Sequence, residues 1–235
     1  MKILAFDSTA KVASVAVTEN GKALASYSID NGLTQSELLL PMAEAALKSL
    51  RISHSDIGAY AVTVGPGSFT GVRIGVSLVK GLAFGRDLPC VPVSTLEALA
   101  ENLRGLSGII VPAMDARRSQ VYAAIFASDG QTLTRLTEDD ALPLAELKEK
   151  LCEYSDRNIY IVGDGYAVTH KALREYGITL SETPALLRAQ NAASVGIVAE
   201  RMLNEGNYTT DSLLSPVYLR MPQAERERLE RENKQ

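Results

Sequence analysis

Ile3-Leu4-Ala5-Phe6-Asp7, followed by Lys11 and Val15-Ala16-Val17, recurs about 108 residues later as Val111-Pro112-Ala113-Met114-Asp115, Ser119 and Ala123-Ala124-Ile125. Each copy reads as an apolar strand ending on an aspartate, a four-residue turn and a second apolar strand. Self-similarity at one offset is the mark of an internal repeat. Two related lobes are predicted, divided at Arg104–Ser107: residues 1–104 form the first and residues 105–235 the second.

Working outward from the first copy, Lys2–Asp7, Ala13–Thr18 and Lys22–Ile29 read as three strands, with Asn20–Gly21 as a hairpin turn. A helix follows over Thr34–Leu50, opened by the capping-box form Thr34-Gln35-Ser36-Glu37. Pro41 is expected to kink it. Gly58–Val64 is an apolar strand, Gly71–Phe84 a helix reached through a glycine-rich loop, and Val91–Val93 a short strand. Ser94 caps a helix running to about Leu103. Beyond the second copy, Asn158–Val162 reads as a strand, Gly163-Asp164-Gly165 as a turn and Ala193–Leu203 as a helix. Ala224–Gln235 is charged throughout and is expected to be a solvated terminal helix. Repeated hairpin lobes, each with an aspartate closing its first strand, point to an α/β fold. It is the actin-like, ribonuclease H-like architecture of actin, sugar kinases and heat-shock ATPases. That fold clamps a nucleotide between its lobes.

The 235 residues are 46% hydrophobic and 22% charged, enough for a substantial core. No apolar run reaches the roughly 18 residues that span a bilayer. Met1–Phe6 lacks a cleavage-site pattern, so no signal peptide is expected. Two cysteines, Cys90 and Cys152, imply no disulfide framework; reduced thiols and a cytoplasmic setting are expected. The net charge is -4 and the pI about 5.4. Phosphate contacts dominate nucleic-acid affinity, so direct RNA binding by the isolated chain is expected to be weak. Arg117–Arg118 is its only adjacent basic pair.

The sharpest motif is Gly65-Pro66-Gly67-Ser68-Phe69-Thr70-Gly71-Val72-Arg73-Ile74-Gly75. Either its loop presents backbone amides to a phosphate, or its glycines allow a tight turn and close helix–strand packing. It is not a P-loop, because Gly71 is followed by Val72 rather than by Lys and a hydroxyl residue. Asp7-Ser8-Thr9 falls where an actin-like kinase places its first phosphate loop. Ser8, Thr9 and Ala10 stand there in place of glycine, and Asp7 has an alternative role as a turn cap. Asp7, Ser8, Thr9, Gly67 and Arg73 are therefore the cofactor-binding candidates. No metal site is expected, since His54 and His170 lack partners at ligand spacing. No catalytic residue is assigned; Ser68 does not sit in a Gly-x-Ser-x-Gly elbow.

The helices at 34–50 and 71–84 each carry two apolar stripes where a surface helix needs one. A partner interface is expected over Leu38, Leu39, Met42, Ala43 and Ala46 on the first, and over Val72, Gly75, Val76, Val79 and Ala83 on the second. The competing reading buries both helices in the chain's own core.

Phe6-Asp7-Ser8-Thr9, Ser14-Val15-Ala16-Val17, Ser36-Glu37-Leu38-Leu39-Leu40-Pro41, the glycine-rich stretch Gly65–Gly75 and Pro216-Val217-Tyr218-Leu219-Arg220 resemble the bacterial TsaB family, also called YeaZ. The resemblance covers nearly the whole chain. It implies an actin-like fold with a reduced second lobe. It also implies a non-catalytic dimerisation subunit in the synthesis of N6-threonylcarbamoyladenosine at position 37 of ANN-decoding tRNAs. A metal-bearing TsaD-type subunit would carry out the transfer, and a TsaE-type ATPase would complete the assembly. ATP or ADP would bind only in the assembled complex, tRNA would be met only through it, and the isolated chain could self-dimerise. Gln35 departs from the pattern, because the family often has His there. The alternatives are an autonomous kinase, which would need glycine in both loops, and a peptidase, for which the metal and triad patterns are missing.

Overall fold

In the computed structural model, residues 1–117 and 119–220 are described. Arg118 and the charged stretch Ala224–Gln235 lie outside them. The first lobe opens with an antiparallel meander of β1 (Lys2–Asp7), β2 (Ala13–Glu19) and β3 (Lys22–Ile29). Asn20 and Gly21, both at positive φ, make the tight turn between β2 and β3. Next come α1 (Gln35–Leu50), β4 (Ile57–Gly65), α2 (Phe69–Ala83) and β5 (Cys90–Ser94). The strand order is β3-β2-β1-β4-β5, with β4 parallel to β1 and β5 parallel to β4. At the start of α1, the Glu37 carboxylate accepts from the Thr34 amide at 2.9 Å. Pro41 does not interrupt α1; it lies near the start of the helix on its exposed side.

Strand alternation decides what covers each face of this sheet. Leu4, Phe6, Val15 and Val17 point to one side, where they pack under α1 and α2. Ile3, Ala5 and Ala16 point to the other, where α6 (Ala192–Asn204) lies. The α6 side is built from small residues, so the helix sits close. A side chain at Gly196 would collide with Thr18. The Ala192 amide donates to the Ser14 hydroxyl at 2.9 Å.

The second lobe repeats the plan on a sheet of six strands, most of them shorter. β6 (Ser107–Asp115) pairs antiparallel with β7 (Gln120–Ala123) and β8 (Phe126–Asp129). One register runs through both pairings, so β7 and β8 act as a single interrupted strand. β9 (Leu133–Arg135) and β10 (Asp140–Pro143) extend the meander. Then come α4 (Leu144–Leu151), β11 (Ile159–Val162) parallel to β6, and α5 (Tyr166–Glu175). Among the described residues, nothing corresponding to β5 follows. This is the actin-like α/β fold with a reduced second lobe. Helix α3 (Thr95–Glu101) joins the lobes. Its Glu97 takes Arg201 of α6 at 2.7 Å and Arg135 of β9 at 3.1 Å.

Two expectations are corrected here. The division at 104/105 separates the two sheets but not the two lobes, because α6 returns to pack on the first sheet. The residues expected to form a partner interface, Leu38, Leu39, Met42, Ala43, Ala46, Val72, Gly75, Val76, Val79 and Ala83, are all buried within the chain. Both stripes are used internally, one against the sheet and one between the two helices. Leu39→Glu or Val76→Glu places a carboxylate in this core, and a loss of roughly 4 kcal/mol or more is expected. Urea unfolding checks it: a mutant with near wild-type stability would show that these side chains have room to turn outward.

Candidate functional site

At the carboxyl ends of β1 and β4 two loops are locked together. The Asp7 carboxylate accepts from the Thr9 amide at 3.0 Å and the Thr9 hydroxyl at 2.7 Å. This Asx turn aims the Thr9 carbonyl at the loop after β4, where the Ser68 amide donates to it at 2.7 Å. The Ser8 hydroxyl donates to the Gly71 carbonyl at 2.8 Å. A Cβ at Gly67 would stand 2.7 Å from the Thr9 side chain, and one at Gly71 or Gly75 would overlap Ser8. The glycines therefore serve the packing of α2 onto the β1–β2 turn.

This arrangement decides the cofactor candidates. Asp7, Ser8 and Thr9 are buried; Thr9 bonds Asp7, Ser8 bonds Gly71, and Gly67 is pressed against Thr9. Burial raises the Asp7 carboxyl above its usual range, and the Thr9 hydrogen bonds offset part of that. Its second oxygen has no hydrogen-bond partner. Arg73 is not in this loop environment. It lies on the outer face of α2, with its guanidinium over the Phe69 ring at 4.5 Å from the centroid. Four of the five candidates, Asp7, Ser8, Thr9 and Gly67, therefore lie together, with Thr9 and Gly67 on the cleft wall, and Arg73 lies apart from them.

The second lobe has a matching pair of loops, looser and more exposed. Asp115 accepts from the Arg117 amide at 2.7 Å, repeating the Asx turn of Asp7. Gly163-Asp164-Gly165 follows β11 as Gly65-Pro66-Gly67 follows β4, and both Gly65 and Gly163 have positive φ. A cleft of about 610 Å³ separates the two sets of loops. Its walls include Thr9 and Lys11 on one side and Asp115, Arg117 and Asp164 on the other. Desolvation against the wall, and then the Asp115 carboxylate, push the Asp164 carboxyl up to about 6.

The mouth of this cleft is crossed by the chain itself. The Val217 amide donates to the Val64 carbonyl at 2.8 Å. Tyr218 stacks on Phe69 with ring centroids 4.9 Å apart. Arg220 donates to the Ala116 carbonyl at 3.0 Å and to the Gln120 side chain. Pro216–Arg220 is therefore a strap from the first lobe to the second. Sequence reasoning marked the motif but not its path, since its contacts are long-range.

A second concavity lies on the outside of α1 and α2. Leu40, Phe69, Ile74 and Leu78 form its apolar surface, with Gln35, Arg73 and Ser77 around them. Leu40 is 39% exposed and Phe69 37%. The Gln35 side-chain amide donates to the Ala10 carbonyl at 2.9 Å, tying the start of α1 to the β1–β2 turn. Among the described residues, no three His, Cys, Asp or Glu side chains gather as metal ligands, and no helix is long and apolar enough to cross a membrane. Cys90 is buried and Cys152 exposed, both as free thiols.

The family model described as TsaD, tRNA N6-adenosine threonylcarbamoyltransferase, matches residues 34–228. The chain is 32% identical over 222 residues to the tRNA threonylcarbamoyladenosine biosynthesis protein TsaB of Escherichia coli K12, covering 94% of this chain and 95% of that one. This chain belongs to the TsaB family. The TsaB protein of Bacillus subtilis 168 is 35% identical over 175 residues, 74% of this chain and 76% of that one. The structure of YeaZ from Pseudomonas aeruginosa superposes with a TM-score of 0.76 at 26% identity, covering 93% of this TsaB-family chain and 99% of that one. The resemblance read from the motifs is borne out, and so is the fold it implied.

The raised Asp164 carboxyl has a pH signature. Its ordinary value is 3.8, so the folded state favours the neutral form. Its contribution to stability is complete below about pH 4 and is lost as pH rises through about 6. Asp164→Asn is expected to be more stable than wild type at pH 7 and to lose that advantage at pH 4. Urea unfolding at the two pH values tests it; an equal effect at both would mean that the carboxyl is not held up.

Proposed function

We propose that this chain is the docking subunit of the system that installs N6-threonylcarbamoyl on adenosine 37 of ANN-decoding tRNAs, and that it has no transfer activity alone. The observation that carries this reading is the locked pair of loops. An actin-like transferase or kinase needs free backbone amides and room for phosphate at the ends of β1 and β4. Here the Ser68 amide donates to the Thr9 carbonyl, the Thr9 amide to Asp7 and the Gly71 amide to the Ser68 hydroxyl. The chain is then left with surfaces to offer, and the outer groove of α1 and α2 is an apolar one.

The partner we assign to that groove is a TsaD-type catalytic subunit. The match to the TsaD model begins at Thr34, where α1 begins, and runs through both helices. Proteins of one fold can pair through equivalent faces, as copies do about a two-fold axis. The same face therefore also supports a homodimer of the isolated chain, and the two associations compete. A TsaE-type ATPase completes the assembly, nucleotide binds only within it, and tRNA is reached through it. The acidic balance of the chain favours this last point.

Leu40→Glu or Leu40→Lys charges the groove at an exposed side chain without entering the core. Either change is expected to leave the melting temperature within a few degrees of wild type. It is expected to weaken binding of the TsaD-type subunit at least about 100-fold, as for a central interface residue. Titration calorimetry and modification of tRNA by the reconstituted set are the measurements. Undiminished binding by both well-folded variants would reject the groove. Threonylcarbamoyl transfer by the isolated chain would reject the docking reading itself.

A further inference from the structure

The strap Pro216–Arg220 is the one motif that neither the fold nor the docking reading has absorbed. Its contacts fall into two groups. One group closes the cleft: Val217 on β4, and Arg220 on the Ala116 carbonyl and Gln120 of the second lobe. The other reaches the groove: Tyr218 stacks on Phe69 at an interplanar angle of 29°. Phe69 belongs to both concavities, since its ring lines the cleft and the groove. Arg73, on the groove rim, holds its guanidinium over that same ring.

We propose that Tyr218 is a positioning residue for partner docking: it braces Phe69, and through it Arg73, on the rim of the α1–α2 groove, from a strap anchored in both lobes. This inference rests on the docking reading of the groove. Phe69 is the first residue of α2, follows a glycine-rich loop and is more than a third exposed. Without a neighbour on one face, its side chain would be free to change rotamer. Tyr218 supplies that neighbour. The main-chain bond of Val217 to Val64 fixes the strap one residue before it, and Gly65 leaves room for that approach because a Cβ there would meet the Val217 carbonyl. Two residues after it, Arg220 holds the strap to the second lobe. Neighbouring Lys80 of α2 adds a further tie, donating at 3.0 Å to the Ser212 and Leu214 carbonyls. The stack is therefore fixed on both sides, and the groove rim inherits its order.

The test is the affinity of the TsaD-type subunit for the full chain and its variants, by titration calorimetry, with a melting curve for each. Tyr218→Ala and Tyr218→Leu are expected to bind about three- to tenfold more weakly, the range an aromatic pair supports. Tyr218→Phe keeps the stack and is expected to bind like wild type. The double variant Phe69→Ala with Tyr218→Ala is expected to bind no more weakly than Phe69→Ala alone, because Tyr218 acts only through Phe69. Wild-type affinity in Tyr218→Ala or Tyr218→Leu would overturn the proposal. Additive losses in the double variant would also overturn it, since Tyr218 would then touch the partner directly. If the wild-type chain fails to bind the subunit at all, the docking reading falls first and this inference falls with it.

Discussion

The contact between the β1–β2 turn and the start of α2 sets the rest of the molecule. Ser8 and Thr9 meet Ser68 and Gly71 through main-chain and hydroxyl hydrogen bonds, over glycines whose missing side chains allow the approach. Buried polar groups must be paired or they cost stability. Here the pairing is almost wholly internal. Only one oxygen of Asp7 is left over, and burial answers by raising its carboxyl. The same contact draws α2 down against the sheet. That leaves α1 and α2 side by side, their inner stripes in the core and an apolar outer row facing away.

The two lobes show how one architecture diverges under this constraint. Both end their first strand on an aspartate that caps the next turn, and both carry a Gly-x-Gly turn after the central parallel strand. In the first lobe these parts close on each other. In the second they also meet, the Gly165 amide donating to the Ala113 carbonyl at 3.0 Å, and Asp115 and Asp164 face the cleft as neighbouring carboxylates. Across the gap the chain lays its own residues, from Val217 to Arg220. The cleft that an actin-like fold offers to a nucleotide is thus partly furnished by the polypeptide.

Much of this was legible in the sequence. The repeat ending on Asp7 and Asp115 gave two lobes, because a strand closed by a capping aspartate is a local signal that survives divergence. The hairpin at Asn20–Gly21 and the helix start at Thr34 were equally local. What failed was inference about faces. Two apolar stripes on α1 and α2 suggested an open surface at Leu39 and Val76. Periodicity counts apolar neighbours but does not say which of them belong to the same chain. The groove residues Leu40, Phe69 and Ile74 lie off those stripes, so the periodicity gives them no weight. The return of α6 to the first sheet and the path of Pro216–Arg220 depend on contacts between distant residues, which spacing cannot carry. Arg73 looked like an anion ligand beside its glycines, yet a two-residue step along the helix, about 200°, puts it on the face opposite Gly71 and Gly75.

We propose that the locked loops leave this chain without a nucleotide site of its own. Titration calorimetry of the isolated, full-length chain with ATP and magnesium addresses it directly. The account predicts no binding heat at ATP concentrations up to about 1 mM, a limit near -4 kcal/mol of binding free energy. Saturable binding at micromolar ATP, lost when Gly67 or Gly71 is replaced, would contradict it.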